Sequence, residues 1–176
     1  MANSIVIYSS KYGSTKQYAE WIAQDSGADI VPVEKADAKA LAAYSTVVFG
    51  ACVYVGKMQK IDFLVKNSAA LEGKKVLVFA VCSSKTGEKQ ANEIFVANIP
   101  AELRAKVKFF SLTGRIGKLG ILDSILMQAP LAAARDKYKK SGSVEDRRAL
   151  EKLEHFDEVD RKQTAPIVAA VTQTHT

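Results

Sequence analysis

Between residues 4 and 113 the hydrophobic positions fall into short unbroken runs, separated by segments in which they recur at helical spacing. Ser4-Ile5-Val6-Ile7-Tyr8 is the first run, brief and β-branched, and it predicts a strand buried on both faces of a parallel sheet. Beyond residues 9–15, Tyr18, Ala19, Ile22 and Ala23 follow a helical period that stops at Gly27. Residues 29–33 predict a second strand, 36–43 a brief helix and 46–51 a third strand. A helix over 60–68, a strand over 75–81, a helix over 86–98 and a fifth strand over 106–112 complete the alternation. Strands alternating with helices mean right-handed βαβ units, hence an α/β fold. The sheet is expected to be parallel, five-stranded and doubly wound, in a three-layer arrangement with strand order 2-1-3-4-5.

The pattern changes after Gly114. Gly117 and Gly120 precede residues 121–140, in which Ile121, Leu122, Ile125, Leu126, Ala129 and Ala133 can share one helix face. Pro130 is expected to bend or interrupt that helix. Residues 144–162 are strongly charged, Pro166 introduces a last helix over 167–171, and the tail 172–176 is expected to fray. The expectation is one domain over residues 1–176, with a helical insertion at 116–160 before the last helix.

Composition narrows the classes. The 176 residues are 48% hydrophobic, enough for one real core. The start carries no basic, apolar leader, and no stretch reaches the roughly 18 apolar residues of a membrane span, so a cytoplasmic protein is expected. Cys52 and Cys82 are too few for a disulfide framework. A formal charge of +6, from 25 Lys+Arg against 19 Asp+Glu, favours an acidic partner or an anionic lipid surface. Lys137, Lys139, Lys140, Arg147 and Arg148 follow the apolar stripe of the insertion. They form either a docking surface for a membrane or an acidic protein, or a solvated helix face. His155 and His175 lie in the charged insertion and the tail, and no metal is expected.

In a sheet of this kind the ligand lies beyond the carboxyl ends of the strands, so the loops at 9–15, 51–58 and 82–87 carry the chemistry. The first offers hydroxyls at Ser9, Ser10, Ser14 and Thr15, a flexible Gly13, and amides at the start of a helix. Those groups suit a phosphate dianion; the alternative is that Ser14 or Thr15 only caps the helix.

Ser10-Lys11-Tyr12-Gly13-Ser14-Thr15 resembles the phosphate-binding loop of flavodoxins. That resemblance implies flavin mononucleotide (FMN) as cofactor, its phosphate held by Ser10, Gly13, Ser14 and Thr15. Ser9, Lys11 and Tyr12 belong to the same loop; Tyr12 stands where Thr is commonest and would serve through its backbone amide. The segment Gly50-Ala51-Cys52-Val53-Tyr54-Val55-Gly56 resembles the Gly-Ala-Ser-hydrophobic-x-x-Gly loop of the flavodoxin-type protoporphyrinogen oxidases and their flavodoxin-domain relatives, with Cys52 in the place of Ser. By that resemblance residues 51–56 run beside the flavin ring. Small residues let amides approach its polar edge, and Tyr54 or Val55 covers its flat face, ordinary loop packing being the alternative for Tyr54. Cys82, Ser83, Ser84, Lys85, Thr86 and Gly87 would flank the ring from the other side, unless Ser84 or Thr86 merely caps the next helix. Cys52 and Cys82 end adjacent strands and form either a redox pair or, the favoured reading, two small buried thiols without an activating neighbour.

The resemblance implies one of two functions. The first is an FMN-dependent oxidoreductase passing electrons from a protoporphyrinogen-like or other organic donor to a quinone; the second is a carrier between protein partners with no substrate of its own. The basic charge leans toward the first, acting at the inner membrane surface. The expected partners are a redox protein, a quinone or a small-molecule donor, with a homodimer compatible and nucleic acid not among them. Other occupants of this topology fail on their motifs. Response regulators need an acidic pair after strand one and an Asp ending strand three, where this chain has Ser9-Ser10 and Gly50-Ala51-Cys52; neither GxxxxGK[ST] nor a GxGxxG in the first loop is present.

Overall fold

A computed structural model of the chain describes residues 3–115, 121–154 and 156–173. The parallel strands are β1 (Ser4–Ser9), β2 (Asp29–Pro32), β3 (Thr46–Tyr54), β5 (Lys75–Cys82) and β6 (Val107–Thr113); β4 (Lys57–Met58) is a two-residue arm. The sheet order is β2-β1-β3-β5-β6, with β4 antiparallel to β3, so the predicted order 2-1-3-4-5 holds once that arm is set aside.

Register explains why these runs are continuously apolar. Val6, Val48 and Leu77 lie side by side and face α1 (Ser14–Ser26) and α7 (Ala165–Thr172), where Tyr18, Ile22, Ile167 and Ala170 complete one core. Their chain neighbours Ile7, Phe49 and Val78 face the opposite way, into a core closed by Leu64 of α2 (Asp62–Lys66), Ile99, and Leu103 of α4 (Ala101–Arg104). α3 (Glu88–Asn98) covers the same face through Phe95, whose ring lies 5.2 Å from that of Phe109. Both faces of each central strand are therefore removed from water, which selects apolar residues at every position.

Several element boundaries differ from the sequence reading. The helix expected at 36–43 is only a 3₁₀ turn over Ala40–Ala43, and the one expected at 60–68 is the short α2 followed by a 3₁₀ turn, Ser68–Leu71. The region 51–58 is not a free loop. β3 continues to Tyr54, turns through Val55 (φ 49°) and Gly56 (φ 75°), and pairs back as β4. Two central residues with positive φ are the signature of a tight hairpin turn.

The chain divides into two compact units, one of Met1–Gly114 with Val159–Thr176, the other of Arg115–Glu158. The second holds α5 (Ile121–Ser141) and α6 (Val144–Glu154), with Arg115 and Asp157 joined by an isolated bridge and an ion pair of 3.6 Å. α5 runs through Pro130, which removes one backbone donor without ending the helix. Ala129 and Ala133 are exposed, contrary to the predicted stripe. The half-buried positions of α5 are Met127, Leu131, Ala134 and Tyr138, spaced three and four apart. The side chains of Ile121, Leu122, Ile125 and Leu126, as well as Gly117, Gly120, His155, His175 and the end of the tail, lie outside the described residues. Lys137 pairs with Asp146 at 2.8 Å, Lys140 with Asp136 at 2.8 Å and Arg147 with Glu151 at 2.9 Å, so much of the basic cluster is neutralised on its own helices. Among the described residues no helix is long and apolar enough to cross a membrane.

Candidate cofactor-binding site

The loop after β1 enters α1 through Gly13, whose φ of 88° makes glycine the natural occupant. Gly13 donates to Ser10 Oγ at 3.2 Å, closing the turn. Neither Ser14 nor Thr15 caps the helix. Gly13 is the N-cap with no side-chain cap bond, and both hydroxyl residues sit inside the first turn, buried to 5% and 1% exposure. Helix geometry leaves the first-turn amides without acceptors inside the helix, and α1 carries no acidic residue there. Thr15 Oγ1 is buried with no hydrogen-bond partner. An unsatisfied buried hydroxyl costs about 1–3 kcal/mol, and at the positive end of a helix an anion is the group that satisfies it. The donor set of this loop therefore fits a phosphate.

A second feature lies at the carboxyl ends of β3 and β5: a cleft of about 430 Å³ lined by Val53, Val55, Gly56, Cys82, Ser83, Ser84 and Thr86, and by Gln90, Glu93, Ile94 and Ala97 of α3. Its size suits a flat organic ligand. The fold thus brings residues of the second and third predicted loops together, whereas Ser9–Thr15 are not part of its lining. Contact between the first two loops is made by Lys11, whose Nζ stands 3.7 Å from the Tyr54 ring centroid and 5.1 Å from that of Tyr12. One face of Tyr54 is taken by that ammonium. Val55, at the hairpin tip, is 77% exposed and adjoins the cleft.

The third loop is anchored differently from the capping alternative. Gly87 is the N-cap of α3, and Thr86 Oγ1 is 2.5 Å from Ser111 Oγ on β6, so Thr86 ties the loop to the sheet. Ala51 is fully buried beneath the site, while Ser83, Ser84, Lys85 and Gly87 are exposed.

Cys52 and Cys82 do not form a pair. Cys52 is in register with Val81, so Cys82, the next residue, projects from the opposite face of the sheet. Burial pushes both thiols above their usual pKa; the Lys11 backbone opposes this at Cys52, and Ser111 opposes it at Cys82. Burial favours the protonated thiol at both positions, and the register keeps the two side chains on opposite faces of the sheet.

Asn98 is a residue that sequence reasoning missed. Its amide donates to the Gly56 carbonyl at 3.0 Å, and its Oδ1 accepts from the Met58 amide at 2.8 Å, clamping the hairpin against α3. Nothing in the sequence marks an Asn at a helix end as the anchor of a hairpin 42 residues away. The α3 residues lining the cleft were missed for a similar reason, since they read as an ordinary solvated helix face.

The family model for the flavodoxin domain matches residues 5–141. Solved structures similar to this chain include a flavodoxin from the domain Archaea (14% identity, 97% of this chain and 99% of that one, TM-score 0.48). Two others are the two-electron reduced Megasphaera elsdenii flavodoxin (19%, 62% and 84%, 0.46) and a WrbA-like flavodoxin from Agrobacterium tumefaciens (21%, 70% and 88%, 0.43). No curated protein matches the chain. With the family match spanning well over half its length, this chain belongs to the flavodoxin domain family, flavoproteins of electron transfer whose cofactor is FMN.

Proposed function

We propose that this chain is an FMN-dependent electron-transfer protein that holds the FMN phosphate on Ser9–Thr15 and the ring against residues 51–56 and 82–87. The observation that carries the reading is the partnerless, buried Thr15 hydroxyl in the first turn of α1. When bound, FMN supplies a ring that takes up and releases electrons. The chain's own residues orient it: the first-turn amides and hydroxyls fix one end, the Asn98-clamped hairpin and the Thr86-anchored loop bound the other, and Lys11 on Tyr54 links the two.

A second reading adds a substrate of its own, a protoporphyrinogen-like or other organic donor with a quinone as acceptor. The formal charge of +6 supports it, since a basic chain attracts anionic small molecules. The ion pairs within α5 and α6 leave the membrane-surface form of that reading with little concentrated positive charge.

The test is the absorption spectrum of purified protein after FMN is added and excess removed, with the released flavin identified after denaturation. Retained FMN supports the proposal; a colourless protein that does not quench FMN fluorescence overturns it. Turnover of the loaded protein with a reduced tetrapyrrole and a quinone separates the enzyme from the carrier.

A further inference from the structure

The end of β6 reaches the phosphate turn from outside the three predicted loops. Gly114 follows Thr113, the last residue of the strand, and is buried. Its backbone does not call for glycine, since its φ lies outside the left-handed region. Its surroundings do. A Cβ there would stand 2.7 Å from Val81 Cγ1 and 3.3 Å from both Cβ and Oγ of Ser14, in the first turn of α1. Neither residue has room to spare, Val81 being 4% exposed and Ser14 5%. The strand end cannot back away either. The Gly114 amide donates to the Cys82 carbonyl at 2.7 Å, the Thr113 carbonyl accepts from the buried Tyr18 hydroxyl at 2.6 Å, and the Thr113 amide donates to Gln163 Oε1 at 2.8 Å. Tyr18 holds α1 to that same strand end, one helical turn beyond Ser14. With both backbones held, the part that can yield is the Ser14 hydroxyl, which turns about its Cα–Cβ bond.

We infer that Gly114 is a positioning residue of the phosphate site, the bare backbone at the end of β6 setting the direction of the Ser14 hydroxyl. The inference rests on the FMN reading above and adds to it a segment that no loop motif marks. A hydroxyl aimed at a phosphate makes a charge-assisted hydrogen bond, and a changed rotamer forfeits it.

The experiment compares two ligands, FMN and riboflavin, which share the ring and differ in the phosphate. Quenching of flavin fluorescence gives Kd for each, with circular dichroism and thermal unfolding measured beside it. Gly114→Ala is expected to weaken FMN about tenfold and riboflavin less than about twofold, so the preference for FMN falls. Ser14→Ala gives a similar loss, and Gly114→Ala adds less than about twofold to it, because the two act on one hydrogen bond. Should Gly114→Ala alone not fold, Val81→Ala in the same chain removes the methyl at 2.7 Å and leaves the contact with Ser14. Measured against Val81→Ala by itself, that double variant again weakens FMN about tenfold. Equal weakening of both flavins makes Gly114 a purely structural residue and overturns the inference, as does an unchanged FMN affinity or an additive loss with Ser14→Ala. A parent chain that binds FMN no more tightly than riboflavin overturns the phosphate reading itself.

Discussion

The Tyr18 hydroxyl, at the heart of α1, donates a 2.6 Å hydrogen bond to the Thr113 carbonyl at the end of β6, 95 residues along the chain. The same oxygen accepts from the Asp160 amide at 3.1 Å and from Gln163 Nε2 at 2.8 Å, while Gln163 Oε1 accepts from the Thr113 amide at 2.8 Å. One buried phenol thus pins the point where the chain leaves the sheet for the Arg115–Glu158 unit and the point where it returns. Tyr18→Phe keeps the ring and strips partners from three polar groups, so it lowers stability by about 1–3 kcal/mol. Urea unfolding reads this directly, and an unchanged midpoint contradicts it.

Gly50 lies in register with Phe79 on β5, and a Cβ at Gly50 would stand only 2.0–2.5 Å from atoms at the tip of the Phe79 ring, which is completely buried. Overpacking a closed core costs about 1–3 kcal/mol and more where nothing can move, so Gly50→Ala belongs at or above the top of that range. Soluble yield and thermal unfolding check it, and a variant as stable as the parent shows that the sheet yields more readily than its burial implies.

Thr15→Val separates stability from ligand binding. The hydroxyl has no partner in the protein, so its removal leaves stability unchanged or raised. If it serves the FMN phosphate, the variant loses one charge-assisted hydrogen bond, and FMN affinity falls about tenfold to a hundredfold. Quenching titration of FMN fluorescence beside a melting curve measures both; equal affinity removes Thr15 from the phosphate site.

Asp146 connects α6 to α5. The Lys137 ammonium and then the Ser141 hydroxyl bond its carboxylate, and its pKa is lowered from 3.8 to about 2. A depressed carboxylate contributes stability above its unfolded pKa and loses it as pH falls through the folded value. The Arg115–Glu158 unit is therefore expected to lose this contribution between about pH 4 and pH 2, and Asp146→Asn to flatten the dependence in that window. Circular dichroism at 222 nm across an acid titration distinguishes the two proteins.

Because burial raises both thiols above their usual pKa, native Cys52 and Cys82 are expected to react with iodoacetamide at neutral pH about tenfold or more slowly than in urea. Mass spectrometry of timed samples follows each site, and rapid native labelling of either one shows an activating environment.

Much of the fold was readable from residue order alone. Unbroken β-branched runs such as Ile5–Ile7 and Val76–Val78 can be buried on both faces only in a covered parallel sheet, and the helical spacing of Tyr18, Ala19, Ile22 and Ala23 up to Gly27 fixes α1. The hydroxyl-rich entry to α1 was equally legible, because a strand, a glycine with positive φ and a helix start are all local features. What the sequence left open depends on contacts between distant segments. The Val55–Gly56 turn is held by Asn98, Thr86 is drawn away from capping by Ser111, and Cys52 and Cys82 point to opposite faces because strand register sets Cys52 beside Val81. Local sequence determines which backbone conformations and which faces are apolar. Only tertiary packing decides which side chains across the sheet meet, since that depends on register and on how helices seat on it, and neither is encoded within a single window of the chain.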